Sequence, residues 1–173
     1  MKSNINEINE KLNDKQREFI HNLSNYINTP LIFYGSILRN DYIPEKSDID
    51  IAIFTDNENS IIYTLCDFLN MSKSDFKKIV YKINSNVVYG YKSVYNNPKL
   101  NIELSIYNNK DKTIIANTHH TCEHLPYHIE WMLIIIKCLY YRLGFISIIT
   151  YKKCKNFLMD SIKDTQFMLL DIS

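Results

Sequence analysis

The chain has 173 residues, 46% of them hydrophobic, with 20 Lys and Arg against 19 Asp and Glu for a net charge of +1. That length suits one domain, or one with a helical annex, and the apolar content excludes a disordered chain. The near-neutral balance supplies no global field to draw in a long polyanion, although a local basic patch is compatible with it.

The opening "MKSNINEINEKL" is polar and has no apolar signal core. Cys66, Cys122, Cys138 and Cys154 are scattered without a C-x-x-C pair, which predicts reduced thiols and a cytoplasmic setting. Ile5, Ile8 and Leu12, then Phe19, Ile20, Leu23, Tyr26 and Ile27, recur at helical spacing. They predict an amphipathic helix over 14–28, or one starting earlier, stopped by Thr29-Pro30. Residues 31–34 read as a short strand, 36–41 as a short helix opening at Gly35-Ser36, and 41–46 as a loop around Pro44. Residues 48–54 alternate apolar and polar, the signature of a strand. A helix follows over 60–70, carrying Ile61, Ile62, Leu65, Phe68 and Leu69. β-Branched residues and tyrosines then predict strands over 77–83, 87–95 and 100–107, broken by asparagine-rich turns.

After Asn108 the stretch "NNKDKTIIANTHHTCEHLP" reads as a polar connection leading to helices over 127–143 and 148–163. The plan is an α+β core over 1–108 with a helical C-terminal region over 109–173 packed on it. The apolar stretch 129–150 is interrupted by Glu130, Lys137 and Arg142, and Gly144 is expected to end a helix inside it. It falls short of the about twenty apolar residues of a membrane span, so no membrane association is expected and Trp131, Met132, Leu133 and 134–136 are assigned to the core.

The chemistry concentrates in "FYGSILRNDYIPEKSDIDIAIF". On the strand 48–54, Ile49, Ile51 and Ile53 share one face and Asp48 and Asp50 the other. Two carboxylates about 6.5–7 Å apart along a strand repel each other unless a cation or proton compensates, and Mg²⁺ is the hard ion suited to oxygen ligands. The strand 100–107 repeats the pattern: Ile102, Leu104 and Ile106 face one way, Asn101, Glu103 and Ser105 the other. If the two strands are neighbours, Glu103 joins the aspartates, and three carboxylates can hold two Mg²⁺ ions for in-line displacement at phosphorus. Gly35 permits a tight strand-to-helix bend, Ser36 offers a hydroxyl and opens a helix whose free N–H groups can hold phosphate, and Arg39 could reach a phosphate or brace the acidic strand.

Gly35-Ser36, eleven intervening residues and then Asp48-Ile49-Asp50 resemble the nucleotidyltransferase superfamily typified by DNA polymerase beta, especially its minimal nucleotidyltransferase branch. The resemblance covers residues 31–54 and, more loosely, 100–107. It implies binding of a nucleoside triphosphate (NTP) with Mg²⁺ and transfer of the nucleoside monophosphate to an acceptor, with release of pyrophosphate. Gly35 and Ser36 would hold phosphates, Asp48, Asp50 and Glu103 would bind metal, and Glu103 would help deprotonate the acceptor. Glu103 stands where many relatives have Asp, and Asn40 where glycine is frequent, a residue tolerant of the left-handed backbone. Relatives modify nucleic-acid ends, small molecules or proteins, so a small molecule, a protein and an RNA end all stand as acceptors. The alternative is an antitoxin-like regulatory module that binds nucleotide with little turnover.

Other features admit plainer readings. Lys46 reads as solvated. His119, His120, Cys122, His124 and His128 suggest metal, but Pro126 separates His124 from His128, so a histidine-rich loop is expected, in which one histidine could assist binding or proton transfer. The tyrosines of "VYKINSNVVYGYKSVY" could stack on a base or pack in the sheet. The lysines of "TYKKCKNF" form a solvated face or a modest phosphate patch.

Overall fold

The structure, a computed structural model, describes residues 5–83, 85–98 and 100–162, with side chains over 8–83, 85–98, 100–120 and 123–162. Two helices, α1 (Ile5–Lys11) and α2 (Asp14–Ile27), precede strand β1 (Leu31–Tyr34). Asn13 caps α2 in a reciprocal capping box with Gln16, and Asn28 closes the helix in the left-handed conformation at φ 49°, just before Thr29-Pro30. A single 3₁₀ turn, Gly35–Leu38, links β1 to a loop and then to β2 (Ile49–Thr55). Helix α3 (Glu58–Leu69) leads into β3 (Lys77–Ile83), β4 (Asn86–Asn97) and β5 (Leu100–Asn108). Helices α4 (Lys112–Glu123), α5 (Tyr127–Tyr141) and α6 (Ile148–Asp160) complete the described fold.

The strands form one mixed five-stranded sheet in the order β1-β2-β5-β4-β3. β2 and β5 run parallel at its centre; the other pairs are antiparallel. The alternating isoleucines dictate which face is buried. Ile49, Ile51 and Ile53 of β2 and Ile102, Leu104 and Ile106 of β5 are almost wholly excluded from solvent. They pack with Ile8, Leu23, Ile27, Ile62 and Leu65 from α1, α2 and α3 and with Leu12 between α1 and α2. Each such side chain contributes roughly 1.5–3 kcal/mol on burial. On the opposite face Ala52, Phe54 and Tyr107 pack with Ile115 of α4, leaving the segment around Asp50 open.

Three expectations change. The segment after Asn108 is not a loop: after a turn at Asn109–Asp111 it forms the twelve-residue helix α4. Its apolar signal is short because Ile115 is its only described side chain buried against the sheet. The α5 cluster is only partly core. Ile129 and Leu133 are buried with Leu158 of α6, but Trp131 is 49% exposed, and Met132 and Ile135 also face solvent. The predicted helix over 36–41 is a shorter 3₁₀ turn, and Asn40 is not left-handed. No helix among the described residues is long and apolar enough to cross a membrane; α5 ends before Gly144, whose φ is 64°. Cys66, Cys138 and Cys154 are free thiols, whereas the Cys122 side chain and Lys163 lie outside the described residues.

Lys137, the charge that interrupts the apolar run of α5, is the helix's anchor to the core. It is only 3% exposed, its Nζ lies 2.8 Å from Asp41 Oδ2, and it donates to the Asp41 carbonyl at 2.8 Å. Arg39 Nε donates to the other Asp41 oxygen at 2.7 Å. Burial pushes the Asp41 carboxyl up, but the two cations outweigh it and hold it below its ordinary value. Removing one partner of such a buried group typically costs about 3–5 kcal/mol. Lys137→Ala is therefore expected to lower stability by about that amount in urea unfolding, whereas Lys153→Ala on the exposed side of α6 leaves the midpoint unchanged.

Candidate active site

β2 begins one residue later than the sequence pattern suggests, so Asp48 sits at its mouth and Asp50 inside it. The parallel register brings Glu103 beside them. Asp50 pairs directly with Glu103 on β5 and, across the other edge, with Tyr34 on β1. Paired residues on neighbouring strands lie about 5 Å apart and point to the same face. The side chain of Asn101 donates to Asp48 and holds it at the strand entrance.

Gly35 is shaped by the same acid. Its φ is 75°, and an added Cβ would come within 2.1 Å of Asp50 Oδ2. Only glycine lets the turn reach this conformation while the carboxylate lies against its backbone. Ser36 follows in the turn, whose carbonyl accepts from the Arg39 amide at 2.9 Å.

These residues line a cavity of about 470 Å³ together with Arg39, Lys92, His119, Lys137, Tyr151 and Lys155. That volume lies in the range of small-molecule sites. Of the six residues expected at the site, Gly35, Ser36, Asp48, Asp50 and Glu103 converge on its wall. Arg39 also reaches the wall, but its guanidinium is committed to Asp41.

The electrostatics follow from confinement. Burial, then repulsion from Glu103 and Asp48 against attraction from Lys155 and Lys92, leaves the Asp50 carboxyl raised to about 7. Asp48 is raised too, chiefly by burial, with Lys155 opposing. Glu103 has a partner of its own: Lys92 Nζ lies 2.6 Å from Oε1. Burial raises the Tyr34 phenol well above its usual range, so it stays protonated, within 3.0 Å of Ser105 Oγ.

Sequence reasoning missed Lys92 and named Lys155, Tyr81 and His119 only as one of two readings each. Lys92 lies two positions from the Glu103 partner Val94 along β4, and only the strand pairing discloses that it reaches the acid. Lys155, one of the lysines in "TYKKCKNF", turns into the cavity, as does Tyr81, whereas Tyr89 is exposed and Tyr91 and Tyr95 pack on the opposite face. His119 enters because α4 is a helix. Its ring lies 3.9 Å from that of Tyr34, and burial, then Lys92, pushes its pKa down to about 4. It is therefore a neutral ring near physiological pH and does not exchange protons there.

An α+β fold with an acidic cavity at the mouth of two parallel strands is the class these features define. The chain belongs to the nucleotidyltransferase domain family, which matches residues 13–116. Among solved structures it is similar to the Cid1 poly(U) polymerase bound to MgGTP, at 16% identity and a TM-score of 0.43, covering 78% of this chain and 46% of that one. It is also similar to the GLD-2/RNP-8 complex, at 15% identity and a TM-score of 0.38, covering 84% of this chain and 56% of that one. The chain thus spans about half the length of these structures. No curated protein matches it.

The Asp50 proton sets a sign. The folded carboxyl titrates at about 7 against an ordinary 3.8, so the folded state holds a proton that the unfolded state releases between those values. Stability from this group is present at low pH and falls as pH rises through that window. Asp50→Asn removes the dependence. In metal-free buffer it is expected to raise stability by about 1–3 kcal/mol near pH 8 and much less near pH 5, read as paired thermal melts.

Proposed function

We propose that the cavity binds an NTP with divalent metal and transfers its nucleoside monophosphate to an acceptor hydroxyl. The observation that carries this reading is the β2–β5 register, which sets Asp50 beside Glu103 with Asp48 at the strand mouth. Three carboxylates crowded on one face call for a compensating cation, and an oxygen-only donor set suits Mg²⁺, two ions by this reading. When bound there, such ions neutralise the triphosphate and stabilise charge on the attacking and leaving oxygens.

The chain's own residues supply the rest. Gly35 and Ser36 lie where their backbone amides and the Ser36 hydroxyl can take the β- and γ-phosphates, and Lys155 adds positive charge across the cavity. Arg39, on the cavity wall and paired with Asp41, supports this turn and stands within the reading as a further phosphate-facing cation. The acceptor oxygen bonds to the α-phosphorus, the bond to the bridging oxygen breaks, pyrophosphate leaves, and Glu103 takes the hydroxyl proton. Lys92 holds Glu103 Oε1, and Oε2 would be the oxygen left to take a metal. Tyr141, half-buried on the cavity wall, offers stacking surface for a base, backed by the Tyr140–Tyr151 stack. We take 1–108 as the catalytic core and 109–173 as the C-terminal region, whose described helices α4, α5 and α6 close the cavity with His119, Lys137, Tyr151 and Lys155, while 163–173 lie outside the described residues.

The test is incubation with each α-labelled NTP and Mg²⁺, with and without RNA, followed by intact-mass analysis. Label on a small molecule, on a protein or on an RNA end identifies the acceptor. Tight NTP binding without transfer to any of them would overturn the enzymatic reading in favour of a regulatory module. Asp50→Asn is expected to abolish transfer in a folded protein, and Glu103→Gln to lower turnover more than NTP affinity.

Metal must also displace the Asp50 proton. Mg²⁺ or Mn²⁺ binding is expected to release protons near pH 7 and to weaken as pH falls below it, measured by calorimetry in buffers of different ionisation enthalpy.

A further inference from the structure

Helix α4 ends in a second group of ligating side chains, distinct from the carboxylate cavity. His120, Glu123 and His124 each offer one ligand atom, and these atoms all lie within 4.8 Å of one another. The spacing is what a helix requires: residues three and four apart share a face. The two imidazole rings stand 4.7 Å apart, edge to face. Glu123 Oε1 is buried and has no hydrogen-bond partner, an arrangement that costs free energy unless something else satisfies it. The group also sits at the C-terminal end of α4, where the helix dipole favours a cation.

We propose that His120, Glu123 and His124 form a zinc site that clasps the last turn of α4. Two imidazoles and one carboxylate suit Zn²⁺, which takes nitrogen at 2.0–2.1 Å, and they do not suit Mg²⁺. Tetrahedral ligands at that distance stand about 3.3 Å apart, so the three atoms need to close by about 1.5 Å at most. His120 and His124 are exposed and can rotate that far without disturbing the core. The fourth position is left to water. His119 lies in the same turn and packs on Tyr34 in the cavity, so the clasp fixes the wall that faces the nucleotide. The two sites thus sort two metals by ligand chemistry: oxygen donors for the hard ion, imidazoles for the borderline one.

The test is titration of the whole chain with Zn²⁺ in millimolar Mg²⁺, which keeps the carboxylate cavity supplied with its own ion. One zinc per chain is expected, competing with a chromophoric chelator, and raising the thermal midpoint. His120→Ala and His124→Ala should each weaken uptake by about tenfold or more and abolish the thermal shift. Both side chains are exposed, so the variants should fold, and circular dichroism checks that they do. Co²⁺ in place of Zn²⁺ should give a visible tetrahedral spectrum without thiolate charge transfer. Absence of uptake at micromolar zinc, uptake that survives either substitution, or a thiolate band with Co²⁺ would each overturn the assignment.

Discussion

Mutual repulsion among Asp48, Asp50 and Glu103 is the constraint around which this molecule is organised. The parallel pairing of β2 with β5 forces Asp50 and Glu103 side by side. The register in turn is held by the other face of the same strands. A slip of one residue would drive Ile49, Ile51 and Ile53 into solvent and the acids into the core. The apolar core on one side therefore enforces an unfavourable charge arrangement on the other, which a proton on Asp50 and the charges of Lys92 and Lys155 offset in part.

The helical C-terminal part closes the cavity through charge as well as through apolar packing. The α5–α6 pair buries only a small cluster around Leu133 and Leu158, and much of its remaining apolar surface faces solvent. What ties α5 to the sheet is the Arg39–Asp41–Lys137 triad, seated just after the glycine turn. The position of that turn, and hence of Gly35 against Asp50, is coupled to a helix a hundred residues further along the chain. Arg39 illustrates how such a residue can border a site while serving chiefly to hold it.

Much of the fold was legible because its signals are local. The alternation of Ile49, Ile51 and Ile53, and of Ile102, Leu104 and Ile106, needs only the two-residue period of a strand, and it separated core from site faces in both strands. The spacing from Gly35-Ser36 to Asp48-Ile49-Asp50 placed the turn and the acids, and the family match agrees with the superfamily it suggests. Helix α4 escaped because a helix with Ile115 as its main buried contact carries almost no periodic apolar signal. Trp131 was misassigned because a run that is apolar all round does not say which side is covered.

The sequence by itself determined the acids, the glycine turn and the face of each strand, since these depend on bond geometry and side-chain period. Tertiary structure alone decided that Lys92 meets Glu103, that Lys137 meets Asp41, and that His119 leans on Tyr34 while His120, Glu123 and His124 gather behind it. Those contacts join residues whose proximity comes from sheet order, helix packing and helix formation in α4. Pair energies of this kind depend on distances in space that residue order does not encode locally.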